Sequence, residues 1–204
     1  MGSILDTCYI QRDNVLSGEH LRDLTQAILT CPYLATNQLS DSFDGTLGFS
    51  IIFKASGRGQ AERQFPFLKP YLKQVVKQTC NAFYFNALVL YQGTYVDFHV
   101  DSSMSSYGRI KTIPNWVSIL YAQVPADMQG GELILQGGDH GTTAIQPRTN
   151  TLVSFLGFLR HAVTEVMASQ PRISLICEQY KLTESRLQKI PEFQIESETK
   201  NYAT

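Results

Sequence analysis

Three residues with metal-binding side chains, His99, Asp101 and His161, have the types and order needed to hold one metal ion. His99 and Asp101 are two positions apart, so in a strand their side chains point to the same face. Two imidazoles and one carboxylate can bind one face of an octahedral ferrous ion and leave three neighbouring positions open for a co-substrate and dioxygen. The pattern therefore predicts a catalytic Fe(II) site with these three ligands.

A second pair, Arg172 and Ser174, follows further along the chain and again shares one face of a strand. A guanidinium fork and a hydroxyl together suit a carboxylate. Arg172 lies between Pro171 and the apolar residues Ile173 and Leu175, so we expect it to face the protein interior. An unpaired guanidinium is costly there unless an anion meets it. The pair therefore predicts a carboxylate-binding position.

The composition favours one folded domain. With 204 residues, 43% of them hydrophobic, the chain can bury a sizeable core. We expect a single domain over residues 1–182, followed by a polar tail over residues 183–204 that is mobile and dispensable.

Charge and hydropathy limit the partners. A formal net charge of −1 provides no general attraction for nucleic acid. The apolar runs are too short to cross a bilayer, and the first residues do not resemble a signal peptide, so we expect a cytoplasmic protein with no membrane partner. The four cysteines are scattered without close pairs, which favours reduced, packed thiols.

Two helices are predicted ahead of the metal-binding residues. Apolar positions recur at helical spacing over residues 17–29, with Ser17 as the N-cap. A strand is expected at residues 49–53, and Pro70 opens a second helix over residues 71–79.

The rest of the chain reads as short strands separated by glycine-rich and proline-containing turns. We expect strands at residues 83–91, 95–100, 116–123, 132–135, 142–145, 151–156, 162–166 and 173–180. Eight strands favour a mainly β (α+β) fold: a double-stranded β-helix, or cupin-like jelly roll, with the N-terminal helices packed on one sheet. The polar connection over residues 102–115 starts beside Asp101 and is expected to act as a substrate lid.

Several motifs surround the His-Val-Asp sequence at residues 99–101. They are Tyr91-Gln92-Gly93-Thr94-Tyr95-Val96, Gly130-Gly131-Glu132-Leu133, Pro147, Leu152-Val153-Ser154-Phe155 and His161-Ala162-Val163. Through these motifs, residues 83–180 resemble the 2-oxoglutarate and Fe(II)-dependent oxygenases, and within them the prolyl-hydroxylase-like branch.

The resemblance implies the cofactors and the reaction. His99, Asp101 and His161 would bind Fe(II), Arg172 would hold the distal carboxylate of 2-oxoglutarate, and Ser174 and Tyr91 would be supporting hydrogen-bond donors. With O2 as oxidant and ascorbate as an optional reductant, such an enzyme hydroxylates or otherwise oxidises an unactivated C–H bond and releases succinate and CO2. Asp101 argues against the halogenases of the superfamily, which lack this carboxylate.

The substrate stays open between two classes. Because the chain shows no appended recognition domain, we expect a small molecule such as an amino acid, peptide or specialised metabolite. The alternative is hydroxylation of a proline in a peptide or protein. A non-catalytic cupin-like metal-binding, ligand-binding or sensor protein is a third interpretation, but a pure metal binder does not need the carboxylate-binding Arg172. Nucleic-acid demethylation is disfavoured by the balanced charge and by the lack of a second arginine shortly after Arg172.

A few further residues are weaker candidates for the site because of where they lie on the predicted strands and in the predicted lid. Asn86, Leu120 and Ala122 are candidates for lining the pocket, although the strand register is open. Arg109 and Lys111 lie in the expected lid and are more simply solvated loop charges. Trp116 is expected to anchor the core, and His140 to lie in a loop.

Overall fold

The computed structural model describes residues 8–36, 45–108, 111–138 and 141–197. Its strands are β1 Tyr9–Asp13, β2 Ala35–Thr36, β3 Leu47–Lys54, β4 Ala82–Leu90, β5 Val96–His99, β6 Trp116–Gln123, β7 Gln129–Gly130, β8 Leu133–Gln136, β9 Thr142–Ile145, β10 Thr151–Leu156, β11 Arg160–Val163, β12 Val166–Met167, β13 Arg172–Tyr180 and β14 Phe193–Ile195. Its helices are α1 Gly18–Leu29, α2 Arg58–Gln64, α3 Lys69–Val75 and α4 Glu184–Leu187, with 3₁₀ turns at Pro66–Leu68 and Ser103–Tyr107.

The first helix forms as predicted. The Ser17 hydroxyl accepts a hydrogen bond from the backbone N–H of His20 (3.2 Å), which satisfies one of the free donors at the start of α1. Leu24 and Ile28, one turn apart, are buried in the core on the inner face of the helix.

The next two helices differ from the prediction. The second predicted helix ends at Val75 instead of residue 79, because the backbone N–H of Lys77 donates to the side chain of Gln179 (2.8 Å) and leaves the helical path. Helix α2 has no strong periodic pattern. It is held by burial of Ala61 and by an ion pair between Arg58 and Glu62 (2.7 Å).

A large antiparallel sheet forms the back of the molecule. Its order is β1-β10-β6-β13-β4-β3-β14, with β2 paired to β3. One face of the sheet packs on the helices through residues such as Phe49, Phe85 and Leu175. Because side chains alternate between faces along each strand, the intervening residues point the other way, towards a second sheet.

The second sheet has the order β5-β11-β8-β9. Leu133, Leu135 and Ile145 from this sheet pack in one apolar cluster with Ile119 and Phe155 from the large sheet. The two sheets therefore enclose a common interior, as in a jelly roll. All eight predicted strand segments are present, with bounds shifted by up to a few residues, and the predicted fold class is confirmed.

The chain beyond residue 182 is not a free tail over its described part. Strand β14 pairs with β3 in the register Phe193 to Phe53, and Ile190 is buried. The backbone of Ser50 accepts from the N–H of Glu196 and donates to the Ser197 hydroxyl, both at 2.8 Å. The expectation of a mobile tail is therefore wrong for residues 184–197, whereas its dispensability and the domain division at residue 182 stay predictions.

Two smaller expectations concern the cysteines and the membrane. Cys8, Cys31, Cys80 and Cys177 are all buried and form no disulfide among the described residues, in agreement with the prediction of packed thiols. Among the described helices, none has both the length and the apolar character needed to span a bilayer.

Candidate metal and co-substrate site

The structure brings His99, Asp101 and His161 together. One side-chain ligand atom from each residue lies within 4.8 Å of the others. Nε2 of His99 is 3.3 Å from Oδ1 of Asp101, and Nε2 of His161 is 3.5 Å from Oδ2. Two ligands about 2.1 Å from an ion and at right angles are about 3.0 Å apart. The spacing of these atoms therefore suits a metal ion between them.

Two paired strands fix the histidines. In the ladder between β5 and β11, His99 is the direct partner of His161. Nδ1 of His99 lies 2.7 Å from the carbonyl of Asp97, and Nδ1 of His161 lies 3.2 Å from the carbonyl of Leu159. A carbonyl can only accept, so each Nδ1 carries the proton and each Nε2 is directed at Asp101 with its lone pair available to a metal.

Burial makes an ion at this position chemically reasonable. Asp101 is only 8% exposed, and its Oδ2 has no hydrogen-bond partner among the described residues. Burial opposes ionisation of Asp101, but the nearby imidazoles of His161 and His99 outweigh it, so its pKa is lowered. Burial lowers the pKa of His161, which favours the neutral imidazole that binds metals. Burial also acts to lower the pKa of His99, but the Asp101 carboxylate outweighs it and the pKa is raised; a bound cation would oppose that protonation. The donor set therefore fits a divalent metal ion.

Arg172 is a buried cation. It is 1% exposed, and its Nη1 donates to the Ser174 hydroxyl at 3.4 Å. Its Nε has no hydrogen-bond partner, and it takes part in none of the ion pairs of the described chain. Burial lowers its pKa. A guanidinium without a counter-ion in the interior calls for an anion from outside the chain.

Tyr121 joins this position and was not predicted. It is fully buried, Cζ of Arg172 lies 4.9 Å from its ring centroid, and its hydroxyl interacts with the Arg172 guanidinium, while the hydroxyl proton has no acceptor among the described residues. In the ladder between β13 and β6 it is paired with Ser174. Arg172, Ser174 and Tyr121 thus present donors that suit a carboxylate.

The alternation of side chains between the two faces of β6 could have identified Tyr121 from the sequence. The sequence analysis considered Leu120 and Ala122 for the pocket, but both pack in the core beneath the helices. Ile119 and Tyr121, one position away, face the interior between the sheets. An error of one residue in register exchanges the two faces of a strand.

Of the remaining predicted site residues, some lie at the cavity and others do not. Asn86 lines the cavity described below, and Trp116 packs against the core with Nζ of Lys77 above its ring at 4.2 Å. Tyr91 is 42% exposed and does not line the cavity, so its predicted contact with the co-substrate has no support from this arrangement. Lys111 is exposed. Arg109 and His140 lie outside the described residues.

The metal-binding residues and Arg172 open into one cavity of about 590 Å³ between the two sheets. Its walls are made by inward side chains of β13 and β4, and one side is covered by Ser102, Ser103 and Ser106. These serines belong to the connection predicted as a lid. Glu178 and Glu196 also line the cavity.

Residues 85–177 match a family model described as the 2OG-Fe(II) oxygenase superfamily. This stretch contains the three metal-binding candidates together with Arg172, Ser174 and Tyr121. A comparison with curated proteins gives no match.

Solved structures with the same fold include several hydroxylases. A prolyl-4-hydroxylase from Pseudomonas putida aligns with a TM-score of 0.60 at 17% identity, covering 88% of this chain and 96% of that one. A 2OG-Fe(II) oxygenase family oxidoreductase from Burkholderia pseudomallei aligns with a TM-score of 0.62 at 10% identity, covering 88% of each chain.

A third similar structure is a prolyl hydroxylase from Trichoplax adhaerens, in complex with a peptide fragment of a hypoxia inducible factor. Its TM-score is 0.59 at 15% identity, and the alignment covers 90% of this chain and 88% of that one. At these identities the likeness establishes the fold. Residues 85–177 are therefore similar to the 2OG-Fe(II) oxygenase superfamily, an oxidoreductase family that uses Fe(II), 2-oxoglutarate and O2, and the chain has the fold of prolyl hydroxylases.

Proposed function

We propose that this protein is a 2-oxoglutarate- and Fe(II)-dependent dioxygenase that hydroxylates, or otherwise oxidises, an unactivated C–H bond of a small molecule such as an amino acid, peptide or specialised metabolite. The reaction would release succinate and CO2. The observation that carries this proposal is that a three-residue metal-binding set and a buried, unpaired arginine open into the same cavity.

In this proposal His99, Asp101 and His161 hold the ferrous ion. Their Nδ1 contacts with backbone carbonyls keep the two imidazoles in the metal-binding tautomer, and Asp101 supplies a buried negative charge. The bound ion supplies the redox chemistry that joins O2 to the oxidation of 2-oxoglutarate and substrate. The chain's contribution is to leave one side of the metal position open to the cavity.

Arg172, Ser174 and Tyr121 hold the distal carboxylate of 2-oxoglutarate in this proposal. The unpartnered Nε of Arg172 and hydroxyl of Tyr121 are both donors, and a carboxylate would satisfy both. Tyr91 stays a predicted contact only.

The cavity volume supports a small-molecule substrate. Pockets for small ligands usually measure about 300–1,000 Å³, and the cavity of about 590 Å³ falls within that range. Ser102, Ser103, Ser106 and Glu196 line the cavity together with the metal-binding residues. Peptidyl prolyl hydroxylation is the alternative favoured by the fold, since two structures of similar fold are prolyl hydroxylases.

Succinate formation tests the proposal. Protein loaded with Fe(II) would be supplied with 2-oxoglutarate, O2 and ascorbate, together with free amino acids in one set and proline-containing peptides in another. Turnover with a free small molecule supports the proposal, while turnover confined to peptides would transfer the assignment to peptidyl hydroxylation. Stoichiometric iron binding without 2-oxoglutarate binding or turnover would favour the non-catalytic cupin-like interpretation instead.

A further inference from the structure

Two carboxylates, those of Glu178 and Glu196, line the cavity away from Arg172. Arg172, Ser174, Ile176 and Glu178 are alternate residues of β13, and all four line the cavity. A strand rises about 3.3 Å per residue, so the backbone positions of Arg172 and Glu178 are about 20 Å apart along it. Glu178 therefore lies beyond the reach of a 2-oxoglutarate molecule bound at Arg172, in the part of the cavity left for the substrate.

Neighbouring hydroxyls fix both carboxylates. Glu178 is 4% exposed and accepts from the hydroxyl and N–H of Ser103, at 2.5 and 3.3 Å, and from the Tyr180 hydroxyl. Glu196, at the exposed rim, accepts from the Tyr107 hydroxyl. These contacts hold two acceptor groups at one end of the cavity.

Tyr84 lies beside Glu178. It is the partner of Glu178 in the ladder between β13 and β4, and it lines the same cavity. Burial raises the pKa of Tyr84, and the charges of Glu178, Glu196 and Asp101 raise it further. The neutral phenol therefore offers no positive charge to the two glutamates.

No cationic side chain balances Glu178 and Glu196 within the described lining of the cavity. Arg172 is the one Lys or Arg residue of that lining, and neither glutamate belongs to an ion pair of the described residues. Burial, together with the charge of Asp101, raises the pKa of Glu178 to about 8. Its negative charge is thus costly until a positive group enters the cavity.

The cofactors of the proposed function do not supply that positive group. The charges of Fe(II) and Arg172 equal those of Asp101 and the two carboxylates of 2-oxoglutarate. Glu196, and Glu178 once it is ionised, are left over in this balance. The unpartnered atoms of Asp101 and Arg172, which point independently to ligands, belong to the same cavity.

We propose, on the basis of the proposed function, that the substrate carries a protonated amine or guanidinium group and that Glu178 and Glu196 bind it. The acidic end of the cavity selects cationic substrates over neutral ones of the same shape. The C–H bond to be oxidised then lies between this cationic group and the metal-binding residues.

Matched probe pairs test this inference. Succinate formation would be compared for the Nα-acetyl derivatives of lysine and norleucine, arginine and citrulline, and ornithine and norvaline. Acetylation removes the α-ammonium group, so the two members of each pair differ chiefly in the distal charge. We expect turnover of at least one cationic member, with kcat/KM about 30-fold or more above its neutral counterpart, since a buried charge pair of this kind is worth about 2 kcal/mol or more. The active pair would distinguish ammonium from guanidinium recognition.

Variants assign the selectivity to the two glutamates. E178Q keeps the size of the side chain and should remove most of the preference, through KM for the cationic probe. E196Q, at the exposed rim, should reduce the preference only about threefold, and it keeps the test valid if E178Q does not fold. E19Q, on the exposed face of α1, is the matched control and should leave the preference intact.

The outcomes separate this inference from the proposed function. Equal or better turnover of the neutral probes, turnover of no cationic probe, or an unchanged preference in both E178Q and E196Q would overturn the cationic substrate. Failure of the protein to bind 2-oxoglutarate in the presence of metal, measured by calorimetry without any substrate probe, would instead overturn the proposed function.

Discussion

His99 and His161 are directly opposite each other in the ladder between β5 and β11, with ring centroids 4.3 Å apart. Two imidazoles from distant parts of the chain are thus fixed by the same backbone hydrogen bonds. Asp101 follows His99 by two residues and completes the set. The metal position is therefore formed by the fold before an ion arrives.

Replacing a ligand should abolish metal-dependent stabilisation. An ion at 100 times its dissociation constant stabilises a folded protein by about 2.7 kcal/mol, so Fe(II) under anaerobic conditions should raise the Tm of the unmodified protein. The same addition should leave the Tm of D101A or H161A unchanged, while circular dichroism shows a retained fold. H20A removes an exposed histidine and should respond like the unmodified protein. A normal response in D101A and H161A would refute the ligand assignment.

Arg172 should control the 2-oxoglutarate requirement. R172K keeps a positive charge but loses the guanidinium fork, which should weaken 2-oxoglutarate binding by about tenfold. Calorimetry with metal present measures this directly, and KM for 2-oxoglutarate should rise in parallel. R148K changes an exposed arginine in the same way and should have no effect. An unchanged affinity in R172K would move the carboxylate-binding role elsewhere.

Replacing Tyr121 should affect binding more than stability. The proton of its buried hydroxyl has no acceptor among the described residues, so Y121F should change the free energy of unfolding little, while 2-oxoglutarate affinity falls by about fivefold, or about 1 kcal/mol. Y71F is the matched control, because the Tyr71 hydroxyl donates to the carbonyl of Leu175 at 3.2 Å. Y71F should lower the free energy of unfolding by about 1 kcal/mol and leave the affinity unchanged. The same response in both variants would contradict the role of Tyr121.

The strand β14 should contribute to stability. Phe193 packs against Phe65, with ring centroids 6.5 Å apart, and pairs with Phe53 of β3. F193A should lower the free energy of unfolding by about 2 kcal/mol, measured by denaturant titration. Q194A, on the exposed side of the same strand, should change it by less than about 0.5 kcal/mol. An unchanged free energy of unfolding in F193A would show that the packing of this segment is dispensable for stability.

Residue spacing predicted the features that depend on local geometry. The i, i+2 pairs His99–Asp101 and Arg172–Ser174 each share a face because alternation is a property of any strand. The Ser17 cap and the run of eight strands follow equally from short-range rules. The convergence of His161 on His99 was expected from the family resemblance, and the ladder between β5 and β11 provides it.

The features that sequence reasoning missed depend on which strand pairs with which. Tyr121 and Leu120 are both apolar enough for a core, and only the pairing of β6 with β13 decides which of them lies between the two sheets beside Ser174. The polar segment that contains Phe193 has little local signal for a strand. It becomes one because the edge of β3 is available to it.

The strand β13 carries Arg172 at its beginning and Glu178 near its end, both on the inward face. The separation between the two proposed anchoring points is consequently set by the rise of one extended backbone and not by loop conformation. Because β13 is hydrogen-bonded to β4 on one side and β6 on the other, a movement of the Ser103–Tyr107 turn would leave that separation unchanged.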